Sequence, residues 1–210
     1  MTVPLRPVSA VTALIEELRR RVLSGEIPPG TALPEQELSA AYGVARPTVR
    51  EALAALVHEG LLRRERHRSA QVAEVTGEDL ADLMFVRRPL EELAAVSLAG
   101  RRVAEADGAL ERMAALPGDA PWSDVVAEHM ALHQALIVAV GSPRLERLYT
   151  ALAAETRLGL VRLRDSYSDR DVLVAEHRDL LDAIGAGPEE AARRAVVAHL
   201  DHGWGAIPGA

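Results

Sequence analysis

Residues Leu33–Leu62, LPEQELSAAYGVARPTVREALAALVHEGLL, read as two helices joined by a tight turn. Glu37 to Ala41 predicts a short helical segment, and Gly43 supplies the left-handed conformation that ends it. From Arg46 to His58 the pattern restarts with Val49, Leu53, Leu56 and Val57 apolar, which is helical spacing. Arg46 and Arg50 are four apart and share a face, with Thr48 beside them near the helix start. A helix that buries one side and offers arginines near its N-terminus suits the major groove of DNA.

Outward from this stretch, Ser9 is an N-cap candidate for a helix with Val11, Leu14, Ile15, Leu18 and Val22 on one face, ending near Gly25. Ile27-Pro28-Pro29-Gly30 is a rigid turn, and Thr31 to Leu33 an extended edge. Beyond Gly60, Leu61–Arg66 and Ala70–Ala73 predict two short strands, turned by Arg66-His67-Arg68-Ser69. Three helices and a two-stranded wing make a winged helix-turn-helix over residues 1–75.

From Thr76 onward the pattern is helical. Thr76 caps a helix with Glu78 and Asp79 in its first turn, running to about Gly100 with an expected irregularity at Pro89. Further helices are expected over Val103–Leu116, Ser123–Val140 and Pro143 to about Arg164. Two more run from Ser168 or Asp169 to Gly185, and from Pro188 to about His202. The fold expected is mainly α: the winged module, then an all-α antiparallel bundle over 76–210.

Composition narrows the function classes. The chain has 210 residues, 49% hydrophobic and only 3% aromatic, which favours helix on helix over a sheet-rich core. There is no cysteine, so disulfide and thiolate chemistry are excluded and a reducing cytoplasm fits. No apolar run approaches the ~20 residues of a membrane span, and the N-terminal stretch lacks the apolar core of a secretory signal; a cytoplasmic protein with no membrane partner is expected. The net charge of −7 argues against a general nucleic-acid binder. Yet residues 1–75 hold 10 Arg against 9 Glu, whereas 76–210 hold 14 Arg against 22 Asp plus Glu. A small DNA-reading module attached to an acidic domain with another task fits that asymmetry.

Four of the seven histidines mark that second task. His129 and His133 are four apart and project from one helix face, a spacing that can chelate one metal ion. His177 and His199 lie in the last two helices, and a bundle interior can bring such groups to one point. Two histidines at this spacing also arise by chance, and His202 could replace His199 or both could face solvent. His133 and His177 sit among apolar residues, which implies inward-facing rings that need partners. The spacing of His129 and His133 is that of the HExxH metalloprotease motif, but Met130 stands where the general base is required. Catalysis is therefore not expected.

The chain resembles the GntR family of bacterial transcription regulators, in the FadR-like branch with an all-helical FCD effector domain. GEIPPGTALPEQELSAAYGVARPTVREALAALVHEGLL follows the family pattern almost position by position. Arg87 with Glu91, LHQALIVAVGSPRL, and EHRDLLDAI followed by His199 match the later part. The resemblance implies a divalent metal held by an Asp and three His; the histidines carry over as His133, His177 and His199. The Asp position is His129 here, so the site is either a four-histidine set favouring zinc or nickel, or one that His129 has left.

For DNA the resemblance implies Arg46, Thr48 and Arg50, with the wing at Arg66, His67, Arg68 and Ser69. Gln36 stands where many relatives carry Arg, and Ser69 where the wing usually carries Gly. It further implies a homodimer on a palindromic double-stranded operator, acting as a repressor and responding to a small organic acid. Arg87 is the expected carboxylate partner, its alternative being a surface ion pair. Three rival expectations are a metal that is itself the signal, a ligand bound by the histidines without metal, and a metal-dependent enzyme fused to the DNA module, against which Met130 argues.

Overall fold

Ser9 begins the first helix: its hydroxyl accepts the Thr12 amide and caps α1 (Ala10–Leu23), which buries Leu14, Leu18, Val22 and Leu23. The computed structural model describes residues 9–65, 68–162 and 169–205. The chain divides into two units, Met1–Glu74 and Val75–Ala210.

In the first unit, α2 (Glu35–Tyr42) and α3 (Arg46–His58) flank Gly43, whose φ of 64° is the left-handed conformation the turn needs. The Ser39 hydroxyl donates to the Val44 carbonyl at 2.7 Å and closes the turn. Helix α2 starts two residues before the expected Glu37, because extended Pro34 caps it and Glu35 and Glu37 both favour the first turn. Val49, Ala52, Leu53 and Leu56 of α3 are fully buried, and α3 packs on α1 and α2.

The wing differs from expectation. Strands β1 (Ala32–Leu33), β2 (Leu62–Arg63) and β3 (Ala70–Val72) form a three-stranded antiparallel sheet ordered β1-β3-β2, not a two-stranded wing. Both edges of β3 find partners: on the β1 side Gly30 N–H donates to the Val72 carbonyl and Val72 N–H to the Thr31 carbonyl, and on the β2 side Ala73 N–H donates to the Leu61 carbonyl, each at 3.0 Å. Arg66 and His67 lie outside the described residues.

The second unit holds α4 (Gly77–Ser97), α5 (Ala104–Ala115), α6 (Trp122–Ala139), α7 (Pro143–Arg162), α8 (Arg170–Ala186) and α9 (Glu189–Gly205). Thr76 and Asp79 form a reciprocal capping box on α4. Asp169 caps α8 by accepting the Asp171 amide; Ser168, the other candidate cap, lies outside the described residues. Helix α4 is continuous through Pro89, where the sequence predicts an irregularity. Proline leaves the carbonyl four residues back without its amide, but Phe85 and Pro89 both lie on the exposed face, where water can serve it. Helix α5 packs on α6 and α8, α6 on α7, and α9 on α4 and α8. The buried faces of α4, α5, α6, α8 and α9 share one core that includes Leu98, Met113, Leu132, Leu136, Leu180 and Ile184. Among the described residues, no helix is long and apolar enough to cross a membrane.

The fully buried Leu53 gives a direct check on the packing of the first unit. Leu53→Ala should lower its unfolding free energy by about 2–5 kcal/mol, measured as a lower urea midpoint at constant slope.

Candidate metal centre and nucleic-acid interface

Three helices of the second unit bring four imidazoles together. Helix α6 supplies His129 and His133, α8 supplies His177 and α9 supplies His199. His133 Nε2 lies 3.1 Å from His177 Nε2 and 3.4 Å from His199 Nε2. Nitrogens bound to one tetrahedral zinc at 2.0–2.1 Å stand roughly 3.3 Å apart, so this spacing fits a shared ion. The His129 ring sits 4.8 Å from that of His133 and 4.7 Å from that of His177, but 6.5 Å from that of His199. His202 is elsewhere: it pairs with Glu176 at 2.6 Å on the surface, so His199 is the member of this helix in the cluster. A surface cavity of about 270 Å³ between α8 and α9 has His199, but none of the other three cluster histidines, in its lining, together with Glu176, Asp179 and His202.

The far side of each ring shows what the near side needs. His177 Nδ1 lies 2.7 Å from the Leu173 carbonyl, so Nδ1 carries the proton and Nε2 a bare lone pair. His133 Nδ1 lies 2.8 Å from Glu91 Oε2, although not in line for a full hydrogen bond. That carboxylate favours the same tautomer. The Nε2 atoms of the two rings face each other at 3.1 Å, close enough to share a proton or a metal ion. Burial and the neighbouring His133 push His177 down to about 3, and burial with the surrounding imidazoles takes His129 and His199 well below their ordinary value, so these three rings favour the neutral form that can ligate a metal. The residues present therefore fit a metal ion.

Arg87, expected to hold an acid's carboxylate, is fully buried and engaged by the protein's own carboxylate. Its Nε donates to Glu91 Oε1 at 2.9 Å, and its Nη2 donates to the same oxygen and to Tyr149 Oη at 3.0 Å. Tyr149 in turn donates to Glu91 Oε1 at 2.9 Å. The alternative of a surface ion pair does not hold, since Arg87 and Glu91 are 2% and 4% exposed. Burial opposes the charge on Glu91, but Arg87 and then His133 hold it well below the usual carboxylate range. Spacing alone could pair Arg87 with Glu91; nothing in sequence placed Tyr149, which reaches them from α7.

In the first unit Arg46 and Arg50 are exposed at the start of α3, Thr48 is half-buried, and Gln36 is exposed on α2. Arg50 is tied to α2: its Nη2 donates to Glu35 Oε2 at 3.0 Å, while Arg64 lies 3.6 Å from Glu35 Oε1. Arg50 holds the Glu35 carboxyl below its ordinary pKa. Sequence reasoning missed Glu35, although its place one turn before Leu38 on a partly buried face was a usable signal. Arg68 and Ser69 are exposed, with Arg68 paired to Glu65 at 3.1 Å.

Comparison with known proteins agrees with this division. The family of bacterial regulatory proteins called gntR matches residues 10–72, and the FCD domain matches residues 82–202. An HTH-type transcriptional regulator in an unstable DNA locus of Streptomyces ambofaciens is 32% identical over 189 residues, 88% of this chain and 79% of that protein. The gluconate operon transcriptional repressor of Bacillus subtilis is 29% identical over 177 residues, 80% of this chain and 72% of that one. A crystal structure of a GntR transcriptional regulator from Rhodococcus sp. RHA1 superposes with a TM-score of 0.82 at 27% identity, covering 95% of this chain and 98% of the other. The E. coli McbR/YncC structure, at 23% identity and a TM-score of 0.74 over 96% of this chain and 98% of the other, shares the fold. With the helix-turn-helix match followed by an FCD match over residues 82–202 of 210, the chain belongs to the GntR family of bacterial transcription regulators, in the FadR-like branch that carries an FCD domain.

Proposed function

We propose that this regulator is a cytoplasmic homodimeric repressor whose second unit holds a divalent metal and, beside it, a small organic acid. The DNA reader is the segment 1–75 and the effector and dimerisation unit is 76–210. The observation that carries the metal reading is the convergence of three Nε2 atoms, with that of His133 lying 3.1 Å from that of His177 and 3.4 Å from that of His199. His133, His177 and His199 would hold the ion, with His129 as the fourth ligand. An all-imidazole set favours zinc or nickel over magnesium or manganese.

The acid follows from charge. When bound, a divalent ion supplies a Lewis-acidic centre that attracts a carboxylate. Neutral imidazoles leave its charge uncancelled, and the nearest carboxylate, Glu91, is already committed to Arg87. A buried cation with that excess favours an anionic ligand. His129, standing where relatives of this branch are expected to carry Asp, makes the excess larger. Repression is supported by relatives named as repressors, among them the gluconate operon repressors.

The DNA reading rests on Arg46 and Arg50 at the exposed start of α3, with Thr48 and the first amides suited to phosphate. Gln36, Arg66, His67, Arg68 and Ser69 complete the proposed contact set, and a two-fold dimer reads a palindrome. The dimer is supported by an apolar stripe on α4. Phe85, the sole phenylalanine of the sequence, is 78% exposed, and Leu93, two turns on, is 54% exposed.

Chelated protein should take up close to one zinc per chain by elemental analysis; His133→Ala should abolish uptake and His129→Ala weaken it severalfold. Wild-type affinity in His129→Ala would remove it from the ligand set, and no uptake by the wild type would end the metal reading. Adding zinc without acid separates a resident metal, which leaves DNA affinity unchanged, from a metal that is itself the signal. On a duplex selected by the wild type from a random pool, Arg46→Ala/Arg50→Ala should lose base discrimination worth about 1–3 kcal/mol per arginine. Phe85→Asp should shift sedimentation from dimer to monomer at micromolar concentration, with helix content kept.

A further inference from the structure

Glu91 stands between two groups of partners. Its Oε1 receives three donors, Arg87 Nε, Arg87 Nη2 and Tyr149 Oη, while its Oε2, which accepts no hydrogen bond among the described residues, lies 2.8 Å from His133 Nδ1. All four side chains are buried, with Arg87, Glu91, Tyr149 and His133 between 1% and 4% exposed. A carboxylate held this firmly on one oxygen cannot swing, so the direction of the other is set. Arg87 and Glu91 lie one turn apart on α4, Tyr149 reaches in from α7, and His133 belongs to α6. The assembly is therefore a brace on three helices whose single free oxygen is aimed at one imidazole.

We propose that Glu91 is a positioning residue for the metal centre, pinned by Arg87 and Tyr149 so that its Oε2 keeps the proton of His133 on Nδ1 and presents Nε2 to the ion. The proposal rests on the metal reading above. It gives Arg87 a role different from direct capture of an acid: its charge cancels that of Glu91, and it acts on the site through that carboxylate. Tyr149 acts with it by accepting from Arg87 and donating to Glu91. A histidine ligand without its outer carboxylate loses basicity and orientation, and such changes weaken metal binding about 10–100-fold.

The test compares the full chain with Glu91→Gln, Tyr149→Phe and the charge-neutral double variant Arg87→Met/Glu91→Leu. Zinc affinity is read by competition with a chromophoric chelator, and ligand geometry by the visible absorption of the cobalt-loaded protein. The expected result is a zinc dissociation constant raised about 10–100-fold in the two Glu91 variants, with a smaller rise for Tyr149→Phe. The cobalt bands should shift in all three. Should Glu91→Gln leave Arg87 uncompensated and fail to fold, the double variant, which buries no unpaired charge, decides. Folded Glu91 variants with wild-type zinc affinity and an unchanged cobalt spectrum would overturn the positioning role while leaving the metal reading intact. A lower melting temperature of the chelated variants with those two readouts unmoved would do the same. A wild-type chain that binds no zinc would overturn both.

Discussion

Two imidazole nitrogens held 3.1 Å apart in a dry interior need a proton or a metal ion between them. The second unit is arranged around that constraint. Helix α6 brings His133, α8 brings His177 and α9 brings His199, and the rings meet where three helix faces would otherwise bury aliphatic side chains. On α8, Leu173 serves twice: its side chain is buried in the core, and its carbonyl holds the proton of His177. Packing and ligand orientation are thus set by the same helix turn.

The buried charges next to the cluster follow the same logic. An arginine and a glutamate taken out of water are costly unless each finds a close partner and further hydrogen bonds. Arg87 and Glu91 meet that condition through each other and Tyr149, which also lies 5.5 Å beneath the guanidinium as an aromatic face. The pair leaves one carboxylate oxygen over, and that oxygen faces a histidine of the cluster. A surface salt bridge could be lost at little cost; this one ties three helices to one point.

The first unit uses charge differently. Its arginines stay in water at the start of α3, where the helix N-terminus and the exposed face favour phosphate and base edges. Glu35 holds one of them from α2, so the guanidinium of Arg50 has a defined direction while remaining exposed.

Much of this was legible in residues 33–62, because local rules decide it. A glycine at a helix end, apolar residues at helical intervals and arginines four apart need no distant partner to take effect. The same holds for the capping box of Thr76 and Asp79 and for the helical run that follows. Sequence also set His129 and His133 on one face. It left open whether His199 or His202 turned inward and gave Arg87 an exposed or ligand-facing place, because such choices depend on which helix packs against which. The pairing of β1 escaped for a related reason: Thr31 to Leu33 reads as an extended edge, but so short a strand has no period that names its partner, and it joins the wing because β3 has an open side. Sequence by itself determined the class of fold, the reading helix and the identity of the ligating candidates. Tertiary structure alone decided that Tyr149 reaches Glu91 from α7 and that Arg87 is buried, and it brought His199, which the family resemblance names, to the other three rings. Those are contacts between residues 58 to 66 positions apart, or the consequence of them, and no local propensity encodes such a distance.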